Sequence, residues 1–151
     1  MKKSTILLLL IVFLGSVLIV GIFGMQSVPF EEIVYIKEIV PHEVVVYAGG
    51  SQSTMQAQAD TDKGAGHYYI MIPLQDDLVV NVIPRINPTN STNKNLKITI
   101  VPGEGDDIAT IGTLGEININ GRGTVHLRYS AQDSATGAVM HMYIYVYRPR
   151  T

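Results

Sequence analysis

The chain has 151 residues, 46 % of them hydrophobic and 16 % charged, with a formal charge of −2 and no cysteine. The length suits one domain with an appendage. The lack of cysteine excludes a disulfide scaffold, a thiol nucleophile, cysteine-ligated zinc and a cysteine-anchored lipoprotein. Residues 31–151 carry nine Lys/Arg against thirteen Asp/Glu, which excludes a strongly basic nucleic-acid binder.

The low charge has a local origin. Nineteen of the first 30 residues are hydrophobic, and their only charged side chains are Lys2 and Lys3. From Ile6 to Met25 the chain runs 20 residues without a charge. As a helix rising 1.5 Å per residue, that run spans about 30 Å, the thickness of a bilayer's hydrocarbon core. A cleaved signal peptide has a shorter apolar region of roughly 7–15 residues, and no Ala-x-Ala site follows here. The segment is therefore read as an uncleaved transmembrane signal-anchor over residues 6–25, behind a cytoplasmic N-terminus of residues 1–5. Lys2 and Lys3 precede it and Glu31, Glu32 and Glu38 follow it. By the positive-inside tendency the N-terminus stays in the cytoplasm and the rest is extracytoplasmic.

Beyond the helix the apolar residues alternate at a period of two, and no later segment carries a helical stripe. A tether is expected over residues 26–42, spanning at most about 45–50 Å up to Val40 when fully stretched. A β-domain follows over 43–151. Its strands are short and rich in β-branched residues or Tyr, for example Leu78–Ile86, Leu96–Val101, Thr124–Tyr129 and Val139–Tyr147. Turn-forming stretches such as Asn87-Pro88-Thr89-Asn90 and Pro102-Gly103-Glu104-Gly105 separate them. About seven such strands predict an all-β sandwich. Residues 48–66 read as a long mobile loop, because 49–54 and 56–66 are polar and Ala57 and Ala59 are too small to anchor them. Asn120-Gly121 reads as a type I′ hairpin turn.

The last two strands permit a register. Val125, Leu127 and Tyr129 share one face of their strand, and Met140, Met142, Ile144 and Val146 share one face of theirs. Joining the two apolar faces through a turn near Asp133–Gly137 brings Arg128 near His141 and His126 near Tyr143. Tyr143, Tyr145 and Tyr147 then form an outward stripe. These six residues define the candidate interaction surface for a protein or glycan partner. Cross-strand aromatic packing on a half-buried sheet face is the plainer account of the same pattern.

Three pieces in order resemble one family. The first is Leu78–Ile86 followed by Asn87-Pro88-Thr89-Asn90-Ser91-Thr92-Asn93-Lys94 and the strand Leu96-Lys97-Ile98-Thr99-Ile100. The second is Asp107-Ile108-Ala109-Thr110-Ile111 followed by Gly115-Glu116-Ile117-Asn118-Ile119. The third is Gly121-Arg122-Gly123-Thr124-Val125-His126-Leu127-Arg128-Tyr129-Ser130. Over residues 67–148 they look like the bacterial immunoglobulin-like group 2 domain, which repeats in intimin- and invasin-type surface proteins. The resemblance implies an Ig-like β-sandwich that acts as a spacer or adhesive module, with no shared catalytic residues. Two features depart from the family. Ile98 stands where the family usually has Trp, and residues 48–66 are longer and more polar than expected.

Other chemistry is thin. Glu104, Asp106 and Asp107 lack the ligand spacing of an EF-hand, and these acids, like Asp76 and Asp77, read as solvated. Of the four histidines, His126 and His141 share a surface, with no acid beside them in either strand. No phosphate loop and no nucleophile elbow is present. The expectation is a non-enzymatic, single-pass cell-membrane protein with no catalytic residue, no cofactor, no metal, and neither a nucleic acid nor a small-molecule substrate as partner. Its partners are the bilayer, through residues 6–25, and another membrane or envelope protein. The role is adhesive, envelope-organising or scaffolding; the alternative is an accessory single-helix subunit of a larger membrane complex. A membrane-tethered hydrolase using the acidic loops or His126 and His141 is the third reading.

Overall fold

A computed structural model of the chain describes residues 2–24, 31–132 and 137–150. The chain divides into two units, residues 1–32 and 33–151. The first contains one helix, α1 (Lys3–Gly24). It starts three residues earlier than Ile6, because Lys3 joins the first turn, and it is long and apolar enough to cross a membrane. Its large side chains are exposed all round, from Ile6 to Ile22. The hydroxyl of Ser16 donates to the Phe13 carbonyl at 2.8 Å, so this polar group is satisfied within the helix.

The second unit is built from β1 (Glu38–Ala48), β2 (Ser51–Met55), β3 (Gln58–Ala59), β4 (His67–Pro73), β5 (Leu78–Asn87), β6 (Leu96–Ile100), β7 (Ala109–Ile111), β8 (Ile117–Ile119), β9 (Gly123–Ala131) and β10 (Val139–Tyr147). They form two five-stranded sheets, ordered β2-β1-β5-β8-β7 and β3-β4-β10-β9-β6. Every pairing is antiparallel except β4 with β10. One core takes the inward residues of both sheets: Val44, Val80, Val82, Ile117 and Ile119 from the first, and Ile70, Ile72, Leu127, Met140 and Ile144 from the second. The period-two alternation read from the sequence is the burial pattern of β5 and β8, and in β9 it is interrupted by His126, which is buried together with Val125 and Leu127. Ile98 packs against this core and pairs with Tyr129, which is completely buried. The large core aromatic thus sits on the strand beside Ile98.

Four expectations are corrected. The tether over residues 26–42 is too long, because β1 starts at Glu38 and both Ile36 and Ile39 are buried in the core. Residues 26–30 lie outside the described residues. The segment 48–66 is not one loop: Ser51–Met55 pairs with β1 along its length, and Gln58–Ala59 pairs with β4. Gly49 and Gly50, both at positive φ (54° and 80°), make the two-residue turn between Ala48 and Ser51. The polarity of Ser-Gln-Ser-Thr is that of an edge strand exposed on both faces. With these two additions the described residues hold ten strands, against about seven expected. Finally, Asn120-Gly121 is no hairpin turn, since β8 and β9 lie in different sheets. A Cβ on Gly121 would come 2.7 Å from Cγ2 of Ile108, so this glycine answers to a close approach and not to positive φ.

Candidate functional site

The strand pattern that sends Met140, Met142, Ile144 and Val146 into the core turns His141, Tyr143, Tyr145 and Tyr147 to the opposite face of β10. On the neighbours, His67, Tyr69 and Met71 of β4 and Thr124, His126 and Arg128 of β9 share that face. The register places Arg128 opposite His141 and His126 opposite Tyr143, as the apolar alternation predicted. Of the expected connection, Asp133–Thr136 lie outside the described residues. From the other side, the parallel pairing places His67 opposite His141 and Tyr69 opposite Tyr143.

These side chains form a continuous array. Nδ1 of His126 lies 2.6 Å from Oε2 of Glu104, and its Nε2 lies 2.8 Å from Nδ1 of His141. His141 stacks on His67 with ring centroids 4.4 Å apart and planes 5° from parallel. Nδ1 of His67 lies 3.2 Å from the hydroxyl of Tyr143, whose ring stacks at 4.2 Å on His126. Lys63, from the segment between β3 and β4, places its ammonium 3.4 Å from the centre of the Tyr143 ring and donates to the Tyr145 hydroxyl at 3.3 Å. On the neighbouring strand, Tyr69 donates to Gln58 at 2.8 Å.

Two of the partners come from outside the paired strands that the sequence offered. Glu104 follows β6, and its carbonyl accepts the backbone N–H of His126 at 2.8 Å while its carboxylate takes the imidazole. One residue thereby holds another by main chain and side chain together. His67 opens β4 and reaches the array through a parallel pairing 74 positions away in sequence from its partner His141. Local alternation does not reveal such a pairing.

An ionised carboxylate only accepts, so the 2.6 Å contact assigns a proton to Nδ1 of His126. The contact between His126 Nε2 and His141 Nδ1 needs one further proton between them. Burial is the first cause that pulls the pKa of His141 below its ordinary value; the charges of His67, His126 and Arg128 act in the same direction, and Glu104 opposes them. Burial likewise raises the Tyr143 phenol, against the pull of Lys63. At Lys63 desolvation lowers the pKa, but the bond to Tyr145 and the charges of Tyr145, Tyr143 and Asp60 outweigh it and the net shift is upward.

The six expected surface residues divide. His126, His141, Tyr143 and Tyr145 join the array, and Arg128 contributes charge to it from the adjoining position. Tyr147 stands at the strand's end, 46 % exposed and outside these ring contacts. Tyr143 is no outward stripe residue: Lys63, His67 and His126 cover it and leave it 7 % exposed. Among the described residues no group of three His, Asp or Glu side chains is arranged to hold a metal ion. In the array, the parallel stack of His67 on His141 sets their ring-plane lone pairs side by side, where they cannot converge on one point. A cavity of 430 Å³ lies elsewhere, lined by Leu74, Asp76, Asp77, Asn118 and Asn120 among others.

No protein-family model matches the chain, and a search of curated proteins found no relative.

Proposed function

We propose that the chain is a single-pass cell-membrane protein whose extracytoplasmic domain is an Ig-like β-sandwich with a non-catalytic binding role, adhesive, envelope-organising or scaffolding. Strand order supports the Ig-like part. With β2, β3 and β4 set aside, β1-β5-β8-β7 and β10-β9-β6 follow the order A-B-E-D and G-F-C of a seven-stranded immunoglobulin domain. This is the arrangement implied by the bacterial group 2 resemblance. The apolar helix α1 and the lysines at its start, Lys2 and Lys3, support anchorage with the N-terminus inside.

The observation that carries the binding role is the array from Glu104 to Tyr145, bordered by the exposed Tyr147 and by Met71, 58 % exposed. Aromatic and Met side chains on a solvent-facing sheet surface are typical of protein interfaces. A hydrolytic relay is disfavoured by the same geometry. His126 has a carboxylate on one nitrogen, but its other nitrogen faces His141 and not a hydroxyl.

The test is purification in mild detergent after in-cell cross-linking. The native chain brings down a stoichiometric envelope protein, and Tyr145→Ala with Tyr147→Ala loses it while an unrelated apolar helix in place of α1 keeps it. The reverse pattern, loss with the exchanged helix and retention with the altered face, makes the chain an accessory subunit instead.

A further inference from the structure

The charges facing this array are closely balanced at neutral pH. Lys63 and Arg128 bring two positive charges; Glu104 and Asp60 bring two negative ones. His67 from β4, His126 from β9 and His141 from β10 sit among them, with the neutral phenols of Tyr69, Tyr143 and Tyr145 completing the surround. Protons taken up by the stacked pair therefore add positive charge beyond what Glu104 and Asp60 balance. The stacked pair suffers most, because parallel imidazoliums with centroids 4.4 Å apart present like charge face to face.

The two sides of that stack are held unequally. His141 and His126 lie within β10 and β9, which pair with each other over eight positions. His67 is the first residue of β4, and the segment before it is tied down by few bonds. β3 contributes only two pairs, Gln58 with Tyr69 and Ala59 with Tyr68. Beyond these, Asp60 N–H donates to the His67 carbonyl at 2.8 Å, His141 N–H donates to the Gly66 carbonyl at 2.8 Å, and Lys63 rests on Tyr143 and Tyr145.

We propose that residues 60–67 form an acid-released strap: protonation of His67 and His141 drives the segment carrying Lys63 off the sheet and uncovers the ring of Tyr143. At neutral pH the strap covers the centre of the aromatic face; in acid it lifts, and the face gains its most buried tyrosine while the two sheets stay packed. The direction agrees with the lowered pKa of His141. The proposal concerns a conformational equilibrium of this chain and stands whether or not the face binds an envelope protein.

Amide hydrogen exchange read by mass spectrometry tests it on the full-length protein in detergent micelles, with rates corrected for intrinsic pH dependence. Charging the stacked pair favours the open strap, because the like charges separate only when the segment lifts. Between about pH 7.5 and pH 5, protection of peptides covering residues 60–69 should fall about tenfold or more, while those covering β5 and β8 keep theirs. His67→Gln, which keeps a polar side chain but cannot charge, should abolish the fall, and His141→Gln should do the same. Unchanged protection over 60–69, loss in step with β5 and β8, or a fall that survives both substitutions would overturn the strap. The native protein supplies a check that needs no variant. Ring-proton titration by NMR should place His141 below its ordinary value and couple it to its stacked neighbour; titration of His141 at the ordinary value, independent of that neighbour, refutes the mechanism.

Discussion

Tyr129 and His141 are adjacent-strand neighbours with opposite problems. Tyr129 is completely buried, and its hydroxyl has no hydrogen-bond partner among the described residues. Burial drives its phenol pKa well upward, so the group stays neutral. A buried hydroxyl without a partner carries a desolvation cost that phenylalanine does not. Tyr129→Phe should therefore leave the fold intact and raise stability by about 1 kcal/mol, read as a higher thermal midpoint. A clear loss of stability would mean that the hydroxyl is bonded after all. His141 has the reverse character, a partly covered group with too many cations nearby. Its pKa is lowered in the folded state, so the unfolded chain binds more protons in the window just below 6.5. This contribution to stability is complete above that value, is lost as the pH falls through the window, and levels off below the folded pKa. Urea midpoints should decline on acidification from pH 7, and His141→Gln should reduce the slope. A slope unaltered by that substitution would assign the decline to other groups.

At the scale of the elements, the alternation of small apolar residues was the legible part. It located β5, β9 and β10, and it paired β9 with β10 in register, because one face of each is buried and a slip by one residue would turn that face to water. The same logic failed at β2, whose Ser-Gln-Ser-Thr is exposed on both faces and leaves only Met55 to pack partly against the core. The signal available there was the Gly49-Gly50 pair, a recognised hairpin dipeptide. In the candidate site, His126 and His141 were legible as neighbours, but Glu104 and His67 were not. Glu104 reaches His126 from an irregular segment, and His67 arrives through the one parallel pairing, so neither leaves a local pattern. The β8–β9 connection offers a test of element-level reasoning. Gly123 has φ of +140°, where L side chains are strained, and a Cβ there would stand 3.2 Å from Cδ1 of Ile108. Gly123→Val should cost about 1–3 kcal/mol and lower the unfolding midpoint without changing β-sheet content. An unaltered midpoint would show that the connection relaxes freely.

The whole molecule joins two materials that need different solvents. Among the described residues every buried hydrophobic side chain lies at Ile36 or later, while in α1 the large apolar side chains from Ile6 to Ile22 are at least half exposed. Leaving such side chains in water forgoes roughly 1.5–3 kcal/mol for each one that could be buried. A bilayer satisfies that demand across the full helix length, and Lys2 and Lys3 favour keeping the N-terminus on the cytoplasmic side. The absence of cysteine makes this orientation directly measurable, since one introduced thiol is the sole labelling site. Leu114 is suited to it: 91 % exposed, on the turn between β7 and β8, with its N–H donating to the Glu116 carboxylate at 2.9 Å, a main-chain bond that any side chain permits. In intact cells Leu114→Cys should react with a membrane-impermeant maleimide, and Ser4→Cys should react only after the membrane is opened. Under the proposed orientation, reversing the leading charges with Lys2→Glu and Lys3→Glu should reduce labelling at position 114, because it removes the positive-inside bias. If Leu114→Cys is protected and Ser4→Cys is open, the domain faces the cytoplasm, and a binding role outside the membrane falls with the orientation.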